Sequence, residues 1–183
     1  MEELLRGVLE RHGRLDGVAN CVGSVLVKPI HLTSEDEWNQ VMQVNLGSAF
    51  TVVRAAGRVM RRTGGSVVLM STAAARVGLA HHEAIGAAKA AVEGLALAAA
   101  ATYAGDGLRF NCVAPGLVRT PLSDHLTRNQ VSLDAAAAMH PMGRIGEPQS
   151  VASAIRWLLD PAQHWVTGQV IGVDGGLSRV RNK

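Results

Sequence analysis

Four side chains in this sequence stand where they can move a proton or hold a ligand. Asn45 interrupts an apolar stretch, Thr72 follows Ser71 at the end of an apolar run, Lys89 sits among alanines, and His82 lies seven residues before Lys89. An amide in an apolar helix needs partners, so Asn45 either serves a site or satisfies a kink in its own helix. Thr72 either turns its hydroxyl to a substrate or caps the strand end. Lys89 is either a site-facing ammonium or an ordinary exposed helix lysine. His82, two turns before Lys89 on one helix face, carries an imidazole that titrates near neutrality and can act as an acid. Asn111 lies inside another apolar run and reads as a partner for neighbouring backbone. His81, His82 and Glu83 do not suggest a metal, because adjacent helix residues point apart and no third ligand is near in sequence. Cys21 and Cys112 each lie in an apolar run and read as buried free thiols; neither has CxxC spacing.

The elements that must position these groups alternate along the chain. Leu4, Leu5, Val8 and Leu9 repeat at helical spacing up to Gly13. Leu15 to Val22, Ser66 to Met70, Arg109 to Ala114 and Gln169 to Val173 read as buried strands. Between them, Ser34 and Glu37 form a capping-box pattern opening a long helix through Asn45 and Phe50 to Ala56, ended by Thr63-Gly64-Gly65. An Ala-rich helix is predicted from about His82 to Tyr103. Leu117 to about Gly143 reads as loop and short helices, and Pro148 opens a last helix to Leu159. Strands separated by such helices imply βα units, a parallel sheet and helices on both faces. The expected class is therefore α/β, doubly wound, with about four parallel strands in one domain, residues 1–183. Ligands of such sheets bind beyond the carboxyl ends of the strands. Here those ends are Asn20-Cys21-Val22-Gly23, Ser71-Thr72 and Pro115 to Thr120.

Composition narrows the function classes. With 48% hydrophobic and 18% charged residues the chain is not disordered. The formal charge of +3 is small and spread out, with clusters only at Arg61-Arg62 and in the tail Arg179, Arg181, Lys183. No stripe with aromatic platforms is visible, so no nucleic-acid partner is expected. The opening Met-Glu-Glu-Leu-Leu-Arg reads as a helix start and not a signal peptide. No apolar run reaches the roughly 18 residues that span a bilayer. A cytoplasmic location and no membrane partner are expected.

The strand ends carry a resemblance. Asn20-Cys21-Val22-Gly23 resembles the Asn-Asn-Ala-Gly turn of the short-chain dehydrogenase/reductase family, and Asn45, after Val44, matches that family's helix asparagine. Arg109 to Thr120 matches its Arg-x-Asn-x-Val-x-Pro-Gly-x-x-x-Thr segment, while Gly143 to Pro148 and Thr167 to Gly176 match its C-terminal signatures. The resemblance covers essentially the whole chain. It implies a Rossmann-like sheet and NAD- or NADP-dependent oxidoreduction of alcohols and carbonyls. It also implies a site of Asn45, Thr72 and Lys89, with cofactor contacts from Asn20, Gly23, Val44, Lys89, Pro115, Gly116, Val118 and Thr120. In the family, a tyrosine four residues before the lysine is the acid/base, and the lysine lowers its pKa and holds the nicotinamide ribose.

Two departures qualify that expectation. The family's glycine-rich phosphate loop has no counterpart here, since Gly7, Gly13 and Gly17 have the wrong spacing. The chain thus reads as the C-terminal part of the fold, with weak or absent dinucleotide binding. The tyrosine position falls on Ile85, which can neither give nor take a proton, and Tyr103 lies too far along the helix to replace it. The expectation is an impaired or non-catalytic subunit. The alternatives are an active reductase whose cofactor-binding part lies outside this chain, or a small-molecule binding module. An apolar first strand without its family neighbour, and long helices that pair subunits in the family, imply a homodimer or tetramer, or a hetero-oligomer with a full-length relative.

Overall fold

Four apolar runs become one parallel sheet in the computed structural model, which describes residues 1–181. The strands are β1 (Gly17–Asn20), β2 (Gly65–Met70), β3 (Leu108–Pro115) and β4 (Val170–Val173), hydrogen-bonded in that order. Register aligns Gly17 with Ser66, Met70 with Val113 and Pro115 with Val173, so the carboxyl ends lie at one edge. The helices are α1 (Glu2–His12), α2 (Glu35–Met42), α3 (Ser48–Val59), α4 (Glu83–Tyr103), α5 (Gln130–Met139) and α6 (Pro148–Leu159). The predicted tail cation Lys183 lies outside the described residues.

The alternating pleat divides the core into two layers. Val67, Leu69, Phe110 and Cys112 pack against Val52, Ala56, Val92 and Ala96 of α3 and α4. Val68 and Val113 turn the other way, onto Val151 and Leu158 of α6. Helices therefore cover both faces, as a doubly wound sheet requires. Asn111 keeps the bonding role read from its position: its amide donates to the Val166 carbonyl and accepts from the Gln169 N–H, both at the entry to β4. Arg109 donates to the carbonyls of Leu158, Asp160 and Val166, fastening α6 and the segment after it to β3.

Several expectations need correction. The first strand is shorter than Leu15 to Val22, because pairing with β2 stops at Asn20. Cys21 is consequently exposed and not buried; only Cys112 is the buried thiol. The long helix through Asn45 runs on without a break from Glu35 to Val59, but its ladder widens into a π-turn, Gln43–Gly47, between α2 and α3. The segment Glu83–Asp106, which contains α4, is long and apolar enough to cross a bilayer by length and composition, contrary to the expectation that no run reaches that length. In the fold, its residues Ala88, Val92, Ala96 and Ala99 are buried in the core. Charge is also less dispersed than the sequence suggests. Arg6 of α1 joins Arg54, Arg58, Arg61 and Arg62 around one open groove, which Asp106 also lines.

Candidate active site

Beyond the carboxyl edge of the sheet, a cavity of about 400 Å³ opens between the loop after β1, the end of β2, α4, the loop after β3 and α6. Its lining includes eight predicted positions: Gly23, Thr72, Ile85, Lys89, Pro115, Gly116, Val118 and Thr120. Most of the remaining surface is aliphatic, from Leu117, Leu122, Leu126, Val151 and Ile155.

Lys89 is the one charged side chain on that lining. Its helix places it beneath the end of β2, where Nζ donates to the Met70 carbonyl at 2.9 Å. The residue is only 7% exposed, which excludes the reading as a surface lysine. Burial disfavours the ammonium and pushes its pKa from 10.5 down to about 8. One turn later on α4, Glu93 accepts a 2.6 Å hydrogen bond from the Ser71 hydroxyl. Burial drives the neighbouring Cys112 thiol the other way, up to about 12, so it stays protonated and inert at neutral pH.

Asn45 is buried but does not line the cavity, and the structure shows the reading in which its amide satisfies its own helix. Its Nδ2 donates back to the Val41 carbonyl at 2.9 Å across the π-turn, satisfying the helix where its ladder widens. Its Oδ1 accepts from the Ser24 N–H, and Nδ2 also donates to the Ser24 hydroxyl. The amide thereby fixes the loop after β1. A Cβ at Gly23 would stand 3.0 Å from Asn45 Oδ1, crowding it, and in ordinary contact with Lys89 Nζ at 3.4 Å, so glycine there eases the close approach of the loop to both polar groups. Thr72 likewise does two things: it lines the cavity, and its hydroxyl accepts from the Ala74 N–H to cap the turn after β2.

Four predicted residues are not brought to the cavity lining: Asn45, described above, and Asn20, Val44 and His82. Asn20 is committed to the fold, donating to the Ser48 hydroxyl and accepting from the Val22 N–H. Val44 lies in the π-turn and is not part of the lining. His82 precedes α4 and does not share a helical face with Lys89. Its Nδ1 faces the Ala80 carbonyl at 2.7 Å and its ring is absent from the lining, so the structure gives no support to a substitute acid there. Ile85 is buried on the cavity wall one turn before Lys89, where a protic side chain would have faced the ligand.

Two positions that hold the loop after β3 escaped the sequence reading. Ser123 accepts from the Thr120 N–H and donates to the Val118 carbonyl, closing the loop after β3 upon itself. The Thr120-Ser123 spacing is a turn signal that could have revealed it. His140, at the end of α5, meets the Leu117 N–H; nothing local in the sequence joins residues so far apart.

The cavity offers an ammonium, from Lys89, and a hydroxyl, from Thr72, beside a mostly aliphatic wall, a donor set compatible with the nicotinamide end of a dinucleotide. Such a cofactor would supply a hydride, and Lys89, Thr72 and the loop from Pro115 to Thr120 would be the residues to hold it.

Comparison with known proteins agrees with this geometry. Residues 1–178 match the family model described as enoyl-(acyl carrier protein) reductase. A tropinone reductase homologue from Arabidopsis thaliana is 37% identical over 167 residues, which cover 91% of this chain and 63% of that protein. The chain thus spans less than two thirds of that relative's length. A short-chain type dehydrogenase/reductase from Mycobacterium ulcerans superposes with a TM-score of 0.91 at 35% identity, covering 97% of this chain and 65% of the other. The structure of ElxO with NADP bound superposes at 0.90 with 28% identity, covering 96% and 72%. By its parallel sheet, its strand-end cavity and these likenesses, the chain belongs to the short-chain dehydrogenase/reductase family.

Proposed function

We propose that this chain forms the substrate- and nicotinamide-facing part of an NAD(P)-dependent alcohol or carbonyl oxidoreductase site, and that in its present form it binds there without efficient turnover. The observation that carries this reading is the pairing of Lys89 with Ile85 on one wall. Burial disfavours the ammonium of Lys89, the group that in this reading holds a cofactor ribose, while its helical neighbour one turn earlier is aliphatic. General acid–base assistance contributes roughly 10²–10⁴ in rate, so an aliphatic group there predicts negligible carbonyl reduction. The sequence also has no glycine-rich phosphate loop. Charged hydrogen bonds of that kind are worth roughly 1.5–3 kcal/mol each, and dinucleotide affinity is expected to be weak.

Calorimetric titration with NADH and NADPH, followed by a panel of aldehydes and ketones, tests both halves. Binding weaker than micromolar and no turnover are expected. Ile85→Tyr should restore measurable turnover if the cofactor binds, because it returns a phenol one turn from Lys89. Tight binding by the unaltered chain, or turnover with Ile85 in place, would overturn the reading.

A second reading is that a partner subunit completes the site. It is favoured by the exposed apolar surface on α3 and α4, where Phe50 and Leu97 are 50% and 61% exposed.

A further inference from the structure

The loop after β3 is held by a side chain that lies in no sequence motif. His140 ends α5 and is 3% exposed. Its Nδ1 faces the Ala136 carbonyl at 2.8 Å, and its Nε2 faces the Leu117 backbone N–H at 3.1 Å. A carbonyl only accepts and a backbone N–H only donates. The ring must therefore carry its hydrogen on Nδ1 and leave Nε2 bare, which is one tautomer of the neutral imidazole. The contact is built into the backbone on the other side. A Cβ at Gly116 would stand 2.5 Å from His140 Nε2 and 3.1 Å from the Asp174 Cα.

The charged groups around the ring are few. Asp174, after β4, and Arg144, after α5, line the same small cavity of about 350 Å³ as His140; α6 contributes only Ser150, and the loop after β3 contributes Gly116 and Leu117. Asp174 is already engaged. It accepts from the Gly176 N–H, the Ser178 N–H and the Ser178 hydroxyl. Leu117 itself lines the ligand cavity on the far side.

We propose that His140 is a positioning residue for the ligand cavity: its bare Nε2 pins Leu117, and with it the wall from Pro115 to Thr120, to the end of α5, and proton uptake by the ring releases that wall. An added proton makes Nε2 a donor facing another donor and removes the acceptor of the part-buried Leu117 N–H. Two donors in contact no longer hold each other, which favours separation of the loop from the ring. The functional consequence rests on reading the wall as part of the ligand site; the tether itself does not.

Hydrogen exchange on the full chain without ligand decides it. The Leu117 amide is followed at about pH 7.5 and about pH 5. Rates are corrected for intrinsic exchange and referred to the core amide of Cys112. In the wild type, Leu117 should lose roughly tenfold or more of its protection at the lower pH. In His140→Gln, whose amide oxygen accepts without titrating, protection should persist at both. In His140→Leu it should be low at both. Equal protection of wild-type Leu117 at the two pH values, or a pH-dependent loss that persists unchanged in His140→Gln, would overturn the proposal. Should His140→Leu fail to fold, the contrast between wild type and His140→Gln still decides it. Titration with NADPH at the same two pH values is a separate readout: failure to bind at either would count against the proposed function, while exchange alone judges the tether.

Discussion

A lysine pulled out of water beneath a strand end has a measurable signature. Lys89 is buried with one carbonyl partner, and its pKa falls from 10.5 to about 8. Between those values the unfolded chain binds more protons than the folded one, so stability rises with pH across that window. Below about pH 8 the full cost of burying the charge is present; above about 10.5 it is gone. Lys89→Met removes the charge and keeps the buried stem. It is expected to be more stable than the wild type at pH 7, by on the order of a few kcal/mol. The difference should shrink as pH rises from about 8 to 10. Urea unfolding of both proteins across that range checks it, and a constant difference would mean that the ammonium is not buried as the structure has it. A group kept at such a cost where a cavity opens beside it is what a ligand-holding residue looks like. From the sequence Lys89 could have been a surface residue, because an Ala-rich helix gives no periodic pattern to say which face is buried. The Asn45 network was half legible for a related reason. That a buried amide needs partners follows from its apolar neighbours. That those partners are Val41 and Ser24 depends on a π-turn and a loop that only tertiary packing sets.

At the scale of elements, local rules carried furthest where the signal is chemical and not merely apolar. Ser34 and Glu37 form the reciprocal pair their spacing implies: the Ser34 hydroxyl accepts from the Glu37 N–H, and the Glu37 carboxylate accepts from the Ser34 N–H. Glu37 also accepts from Lys28, so the cap holds the loop from β1 as well as the start of α2. Ser34→Ala should cost about 1 kcal/mol of stability, read as a lowered melting temperature. An unchanged melting temperature would show that α2 is set by packing of Trp38 and Val41 alone. The strands β2 and β3 and the helix α6 were legible because continuous Val-rich runs and a Pro at the first turn leave few alternatives. The π-turn between α2 and α3 was not. Apolar residues from Trp38 to Ala56 fit a straight helix, and the inserted turn is decided by what Asn45 reaches. The tether from His140 to Leu117 is less legible still, since it joins residues 23 apart across two irregular segments.

For the whole molecule, the open question of chemistry is also one of assembly. On the outer side of α3 and α4, Leu46, Phe50 and Leu95 line an open groove, and Leu97 stands 61% exposed nearby on α4. Phe50, Leu95 and Leu97 lie on the two helices whose inner faces already form the main core, and Leu46 on the π-turn before them, so the same layer offers an apolar outer surface. Soluble chains rarely leave more than a few hundred Å² of contiguous apolar surface uncovered, and a two-fold contact between identical faces is the commonest way to cover it. A homodimer through α3 and α4 is the expected arrangement, with Phe50 at its centre. Phe50→Glu places a carboxylate where its own symmetry mate would stand. Because Phe50 is half exposed in the subunit, with the Arg54 guanidinium over its ring, the change should leave the fold intact. Light scattering coupled to size exclusion at micromolar concentration should find a dimer or larger for the wild type and a shift to monomer for Phe50→Glu, with circular dichroism unchanged. A wild-type monomer would remove the interface. An oligomer that survives Phe50→Glu would move the contact elsewhere, with the β1 edge, paired on one side only among the described strands, the next place to look.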